Sequence, residues 1–244
     1  MVLLVSKESS YLTEVRKSQL HTRDGILELS ELLKRRFGEN IKTHLCREFV
    51  IVKPNIKDIL EKRVKRTAQV ILPKDIALIL AYTGISSDSL VVDAGTGTGY
   101  LAIFLANFIP NGRVVTYEND KKFAKTADEN IKNSGMKNIK LKQKDITKHI
   151  EEKNADLVTL DMQNPHRAVK NAYGALKPGG WLVVYSPIIE EVISVNKEIR
   201  KYEFCNIETV ENIIRVWQTE RTTRPKNIGL MHTGWLTFAR KLWD

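Results

Sequence analysis

Four carboxylates and a run of alternating glycines carry most of the chemistry legible in this chain. The segment Asp93-Ala94-Gly95-Thr96-Gly97-Thr98-Gly99-Tyr100 follows the apolar stretch Leu90-Val91-Val92, and Glu118, Asp145 and Asp161 come after it. Glycines so spaced between a strand and a helix let a ligand approach the backbone, with N–H groups and the helix dipole facing it. A carboxylate ending the next strand, the place of Glu118, can accept both hydroxyls of an adenosine ribose. Read over positions 97, 99 and 102, the loop also spells G-x-G-x-x-A, a pattern open to dinucleotide dehydrogenases. Singly, each acid is as readily a helix cap or a solvated loop residue. Four of them at corresponding strand ends make a site.

Such convergence requires parallel strands, and from Pro73 onward the pattern alternates helix and strand. Pro73 suits a first helical turn, with Ile76, Ala77, Ile79 and Leu80 behind it. Strands are expected at 90–92, 114–117, 139–141 and 156–160, each leading to one of the four acids. Phe123, Ala127 and Ile131 mark one helix face, with Gly135 placed to cap it. Lys177-Pro-Gly-Gly reads as a turn before a strand at 181–185, and Ile189, Val192, Ile193 and Ile199 as a helix. Stretches 213–218 and 235–239 read as an antiparallel pair. The expected fold is α/β, a Rossmann-like, mostly parallel sheet with its last strand antiparallel. Residues 1–65 are expected to form a separate, small β-rich domain, with one helical candidate at 29–37 and a charged, helix-compatible linker at 56–66. Residues 66–244 form the second domain.

Composition narrows the class. The chain has 244 residues, 42% hydrophobic and 28% charged, which excludes a disordered chain. No apolar run reaches the roughly 18–20 residues needed to span a bilayer, so no membrane role is expected. The first residues lack a basic segment and a long apolar run, so a cytoplasmic protein is expected. Cys46 and Cys205 suggest no disulfide framework, and His21, His44 and His149 have no metal-ligand spacing. The net charge is +10, and residues 1–65, with 14 basic and nine acidic side chains, supply half of it. A basic excess attracts polyanions such as nucleic acid, although a lysine-rich solvated surface gives the same figure.

The segment 93–100, Glu118, Asp145 and Lys177-Pro-Gly-Gly-Trp181 resemble the motifs of class I S-adenosylmethionine-dependent methyltransferases. Several narrower pieces resemble the tRNA (adenine-N1)-methyltransferase family usually called TrmI. These are Arg66-Thr-Ala-Gln69-Val-Ile-Leu-Pro-Lys-Asp75, Tyr185-Ser-Pro-Ile-Ile-Glu-Glu-Val192, Arg221-Thr-Thr-Arg-Pro-Lys226 and His232-Thr-Gly-Trp. Arg47-Glu-Phe-Val-Ile-Val-Lys-Pro54 resembles that family's small β-domain, so the likeness covers nearly the whole chain. One departure stands out. The family's Asp-x-Pro-x-Pro plus aromatic is here Asp161-Met-Gln-Asn-Pro165-His166, with His166 in the place of a stacking ring.

The resemblance implies S-adenosylmethionine as cofactor and tRNA as partner, with N1 of T-loop adenine 58, alone or together with adjacent adenine 57, as the methyl acceptor. It implies that the backbone of Gly95, Gly97, Thr98, Gly99, Tyr100 and Leu101 holds the methionine part, with Asp93 near its ammonium. Glu118 takes the ribose hydroxyls, Asp145 and the Ile146 backbone read the adenine edge, and Gln69 lies in a segment closing over the cofactor. Asp161 becomes the catalytic candidate and is also counted among the cofactor-binding residues. Attack by N1 develops positive charge over N1–C6–N6, which a carboxylate accepting from N6–H stabilises. Tyr185 and His166 are stacking candidates, with plain packing the simpler role for both, and His232 either touches substrate or caps the last hairpin. Arg221 and Arg224 belong to a basic stretch suited to tRNA phosphates or a neighbouring subunit. A homotetramer is implied by the resemblance alone. Competing readings are a protein-isoaspartyl methyltransferase, an NAD-dependent dehydrogenase, and a non-catalytic RNA-binding subunit of the same fold.

Overall fold

Alternation of buried and exposed side chains along short strands builds the first part of the protein. The structure is a computed structural model, and it describes residues 1–67, 69–220, 222–227, 229 and 232–243. The chain divides into two units, Met1–Val64 and Lys65–Asp244. In the first, β1 (Val2–Val5), β2 (Ser10–Thr13), β3 (Gln19–Thr22), β4 (Gly25–Glu28), β5 (Asn40–Lys42) and β6 (Glu48–Val52) precede α1 (Ile56–Lys62). The order β2-β1-β6-β5 makes an antiparallel sheet, and β3 and β4 form a separate hairpin. Val2, Leu4, Leu27, Leu29, Ile41, Phe49 and Ile51 form its core.

One expectation changes here. The helical candidate at 29–37 is a short 3-10 turn, Leu29–Lys34. At three residues per turn Leu29 and Leu32 fall on one buried face, and no side chain caps the start to extend it. The helix-compatible stretch at 56–66 does carry a helix, α1 at Ile56–Lys62. Asn55 and Asp58 form a reciprocal capping box, and Ile59 and Leu60 of α1 are buried. Lys62 Nζ donates to the Ser10 carbonyl at 2.8 Å, tying α1 to the first unit.

The second unit contains α2 (Pro73–Thr83), β7 (Leu90–Ala94), α3 (Tyr100–Phe108), β8 (Arg113–Tyr117), α4 (Lys121–Ser134), β9 (Ile139–Lys142) and β10 (Ala155–Leu160). There follow α5 (Val169–Ala175), β11 (Leu176–Ser186), α6 (Ile189–Ile199), β12 (Phe204–Glu211), β13 (Trp217–Gln218), β14 (Arg224–Pro225) and β15 (Trp235–Lys241). Seven strands make one sheet in the order β12-β15-β11-β10-β7-β8-β9. From β11 to β9 the neighbours are parallel, and β15 is antiparallel to both strands beside it. The strand order therefore reverses between β7 and β10, the kind of place where open α/β sheets bind ligands. Among the described residues no helix is long and apolar enough to cross a membrane.

The partner of β15 is β12, not the 213–218 stretch. Thr209 and Glu211 place polar side chains among the apolar ones of β12, which hides the strand period; only Trp217–Gln218 of the expected stretch is extended, paired with β14. Lys177-Pro-Gly-Gly lies inside β11, where a register shift opposite Ala155 accommodates it. On the edge strand β9, the Lys142 side chain is 9% exposed and reaches Glu151 and Glu152.

Asn130 on the buried face of α4 links this scaffold to the glycine loop. Its Nδ2 donates to the Thr98 carbonyl at 2.8 Å and to Lys65 O at 3.0 Å, and its Oδ1 accepts from Lys65 N at 2.9 Å. We expect Asn130→Ala to lower the stability of this unit by about 2 kcal/mol in urea unfolding, since buried backbone groups lose their partners. An unchanged midpoint and slope would remove Asn130 from this role.

Candidate active site

Asp93 occupies the penultimate position of β7, with Thr159 of β10 and Thr116 of β8 directly opposite it. Its two carboxylate oxygens accept from these hydroxyls, each at 2.6 Å. Thr116 Oγ1 in turn lies 2.6 Å from Thr96 Oγ1 in the glycine loop. Burial pushes the Asp93 carboxyl up against the lowering effect of its two hydroxyl donors. Asp93 is thus a buried strut beneath the loop. Thr116 and Thr159 escaped sequence reading, although their place in the strands before Glu118 and Asp161 was the available signal.

Above the strut the loop turns over the sheet end. Gly95 and Thr96 N–H groups donate to the Tyr117 carbonyl. Gly95 has φ +81°, and a Cβ there would stand 1.7 Å from the Asp161 carbonyl oxygen, so no side chain fits. At Gly97, with φ +55°, a Cβ would meet nothing nearer than the Gly95 oxygen at 3.7 Å, which leaves open space over the loop. Gly99 caps α3, and Tyr100 and Leu101 are buried in its first turn. The Thr98 hydroxyl is buried without a partner among the described residues.

Glu118 directly follows β8 and is buried; its Oε2 accepts from Gly97 N–H at 2.9 Å and its Oε1 from Asp120 N–H at 2.9 Å. Each oxygen keeps a second lone pair for a ligand. Asp145 follows β9, and its Oδ1 accepts from the Thr147 hydroxyl at 2.7 Å and N–H at 2.9 Å; the hydroxyl bond leads in holding its carboxyl below the usual range. Ile146 beside it is buried. Gln69 is exposed on an irregular segment.

Asp161 directly follows β10, its N–H donating to the Ala94 carbonyl at 2.8 Å. Withdrawal from water raises its carboxyl to about 7, helped by the charges of Asp93 and Glu191. His166 lies in a 3-10 turn, Pro165–Ala168, with its Nδ1 buried and unpartnered among the described residues. Tyr185 is buried, and its hydroxyl donates to the Thr233 carbonyl. Burial raises that phenol to about 12. Thr233 Oγ1 also donates to buried Asp75 at 3.2 Å, which pairs with Lys74 at 2.8 Å. His232 lies against Trp235 at 4.2 Å and its Nδ1 meets Glu211 Oε1 at 2.5 Å, an arrangement that braces β12 and β15. Arg224 is exposed on β14, and Arg221 lies outside the described residues.

A family model described as "tRNA methyltransferase complex GCD14 subunit" matches residues 52–231. The chain is 32% identical to a tRNA (adenine(57)-N(1)/adenine(58)-N(1))-methyltransferase TrmI from Methanocaldococcus jannaschii, covering 98% of this chain and 94% of the relative. A solved tRNA (m1A58) methyltransferase TrmI from Aquifex aeolicus superposes with a TM-score of 0.78 at 27% identity, over 100% of this chain and 97% of that one. A SAM-dependent O-methyltransferase structure from Thermotoga maritima gives 0.84 at 29% identity, over 100% of this chain and 93% of that one.

The raised Asp161 carboxyl has a measurable sign. Folded protein keeps this proton up to about 7, whereas the ordinary value is 3.8, so stability falls as pH rises through that window. Asp161→Asn lacks this loss. Its melting temperature should therefore exceed that of the parent by a few degrees at pH 8, with the gap closing toward pH 4; a gap independent of pH would contradict the assignment.

Proposed function

The chain belongs to the GCD14 family of tRNA methyltransferase complex subunits, and from that membership together with the site we infer that it methylates N1 of a T-loop adenine in tRNA, using S-adenosylmethionine. It is an enzyme of the tRNA (adenine-N1)-methyltransferase type, with adenine 58 as the principal target and adenine 57 as a further one. The observation that carries this reading is the juxtaposition of an open glycine cradle with Asp161, whose backbone leaves no room for a Cβ at Gly95.

The residues present fit the cofactor. The space over Gly97 and the orphaned Thr98 hydroxyl provide for a polar ligand lying on the loop. Backbone at Gly95, Gly97, Thr98, Gly99, Tyr100 and Leu101 would hold its methionine part, Glu118 its ribose, and Asp145 with the Ile146 backbone its adenine. Asp93 acts from below by holding the loop, and Gln69 belongs to the covering segment. When bound, the cofactor supplies a methyl group already activated by a sulfonium.

Little is then required of the protein beyond alignment and charge. Neutral adenine offers a free N1 lone pair, so no base is needed before attack. Asp161 accepts a hydrogen bond from the amino group, opposes the positive charge spreading from N1 to N6, and can afterwards take the N6 proton. The adenine is stacked in folded tRNA, so it must be flipped out to reach this carboxylate. His166 and Tyr185 would flank the flipped base, Tyr185 through its ring because its hydroxyl is engaged.

The basic Met1–Val64 unit is one tRNA-facing element and the stretch containing Arg221 and Arg224 is a separate one. The reading extends to a cytoplasmic homotetramer. It is supported by exposed Ile213, Ile214, Val216 and Trp217, an apolar run suited to a subunit contact.

Asp161→Ala should retain calorimetric cofactor binding within a few-fold while turnover on unmodified tRNA falls about 100- to 1,000-fold; parental turnover in that variant would overturn the role. Mapping the methyl to a position other than adenine N1 would overturn the reaction. Replacing Ile214 and Trp217 by Ser should shift sedimentation toward smaller species, and an unchanged profile would remove this run from the assembly.

A further inference from the structure

Polar atoms sealed from water are nearly always hydrogen-bonded, so an orphan marks a place where a partner arrives or strain is held. Among the described residues, the buried unpartnered side-chain atoms are Ser18 Oγ, Thr98 Oγ1, His166 Nδ1, Ser186 Oγ and Glu191 Oε2. The last three belong to one region. His166 is in the turn after Asp161, Ser186 ends β11, and Glu191 lies in the first turn of α6. Leu160 of β10 pairs with Val184 of β11, which carries fully buried Ser186 level with the segment just past Asp161. The turn bearing His166 packs on α6.

Glu191 connects these pieces. Its Oε1 accepts from Asn164 N–H at 3.4 Å, holding the loop that leads from Asp161, and its Oε2 is left without a donor. Its charge also bears on the Asp161 carboxyl. A glutamate in a first helical turn is ordinarily explained by the helix dipole, and exposed Glu190 beside it needs no more than that. The dipole does not account for an oxygen buried without a donor.

We propose that Glu191 is a second reader of the target base, its Oε2 accepting one hydrogen of the exocyclic amino group while Asp161 accepts the other. The inference rests on the adenine-N1 reading. An amino group carries two N–H donors, and both become more acidic as N1 is alkylated, so a second carboxylate answers the same demand as the first. A 6-oxo purine would instead bring an acceptor against two carboxylates, so the pair selects for adenine by repulsion as well as by bonding.

The test uses tRNA transcripts carrying either adenine or unsubstituted purine, which lacks the amino group, at the target position. Glu191→Gln keeps the size of the side chain and an acceptor for Asn164. It should lower kcat/KM on adenine about tenfold or more, change the value on purine by less than about twofold, and leave calorimetric cofactor affinity unaltered. Where purine is turned over too slowly, dissociation constants of the S-adenosylhomocysteine-loaded enzyme for the two transcripts replace kcat/KM. Glu191→Asp, which withdraws the charge by one methylene, should show the same selective loss and serves if the glutamine variant does not fold. Equal losses on both transcripts, or none on adenine, would overturn the proposal. Failure of the parent enzyme to methylate the adenine transcript would instead overturn the reading beneath it.

Discussion

One buried carboxylate organises the catalytic end of this protein. Asp93 sits in the middle of the sheet end, with a threonine hydroxyl arriving from the strand on either side. A carboxylate there without donors would be costly to bury, and hydroxyls there without an acceptor would be costly too. The row therefore locks the register of β10, β7 and β8 at their carboxyl ends. Through Thr116 it reaches Thr96, and so fixes the glycine loop relative to the strands that deliver Glu118 and Asp161. The proposed cofactor side and base side share this one support.

The two sides differ in how they are made. On the cofactor side the protein offers backbone and carboxylates already engaged in local hydrogen bonds, as Glu118 is with Gly97 and Asp120. Little reorganisation is needed before a ligand arrives. On the proposed base side His166 Nδ1, Ser186 Oγ and Glu191 Oε2 are buried and unpartnered among the described residues. The strain of leaving them so is consistent with a surface completed only when a nucleotide is flipped into it.

The parallel sheet was legible because its chemistry is periodic: an apolar strand, an acid at its end, then a helix. Asp93, Glu118, Asp145 and Asp161 announce themselves in that rhythm, and each does stand at or just beyond a parallel strand. What the sequence hides is pairing at long range. Nothing near Thr116 or Thr159 reveals that both meet Asp93, since the contact exists only once three strands are in register. Glu191 looks like any acid at a helix start until the burial of one oxygen is seen. The β12 strand failed for a different reason, because its polar residues interrupt the apolar pattern on which strand recognition depends. The 3-10 turn at Leu29 looks like a longer helix in sequence because spacing i, i+3 belongs to both.

The position of β15 bears on how the molecule is made. This strand is inserted between β11 and β12, although both precede it in the chain. Until residues 235–241 have left the ribosome, β11 shows an unpaired edge and β12 has no neighbour in the sheet. A nascent chain at that stage carries a long apolar edge, open to pairing with another copy. Closure of the sheet is thus a late, non-local event, and it also brings in His232 and Thr233, which brace the strand ends near Tyr185. The fold delays completion of its pocket until the last strand has been delivered.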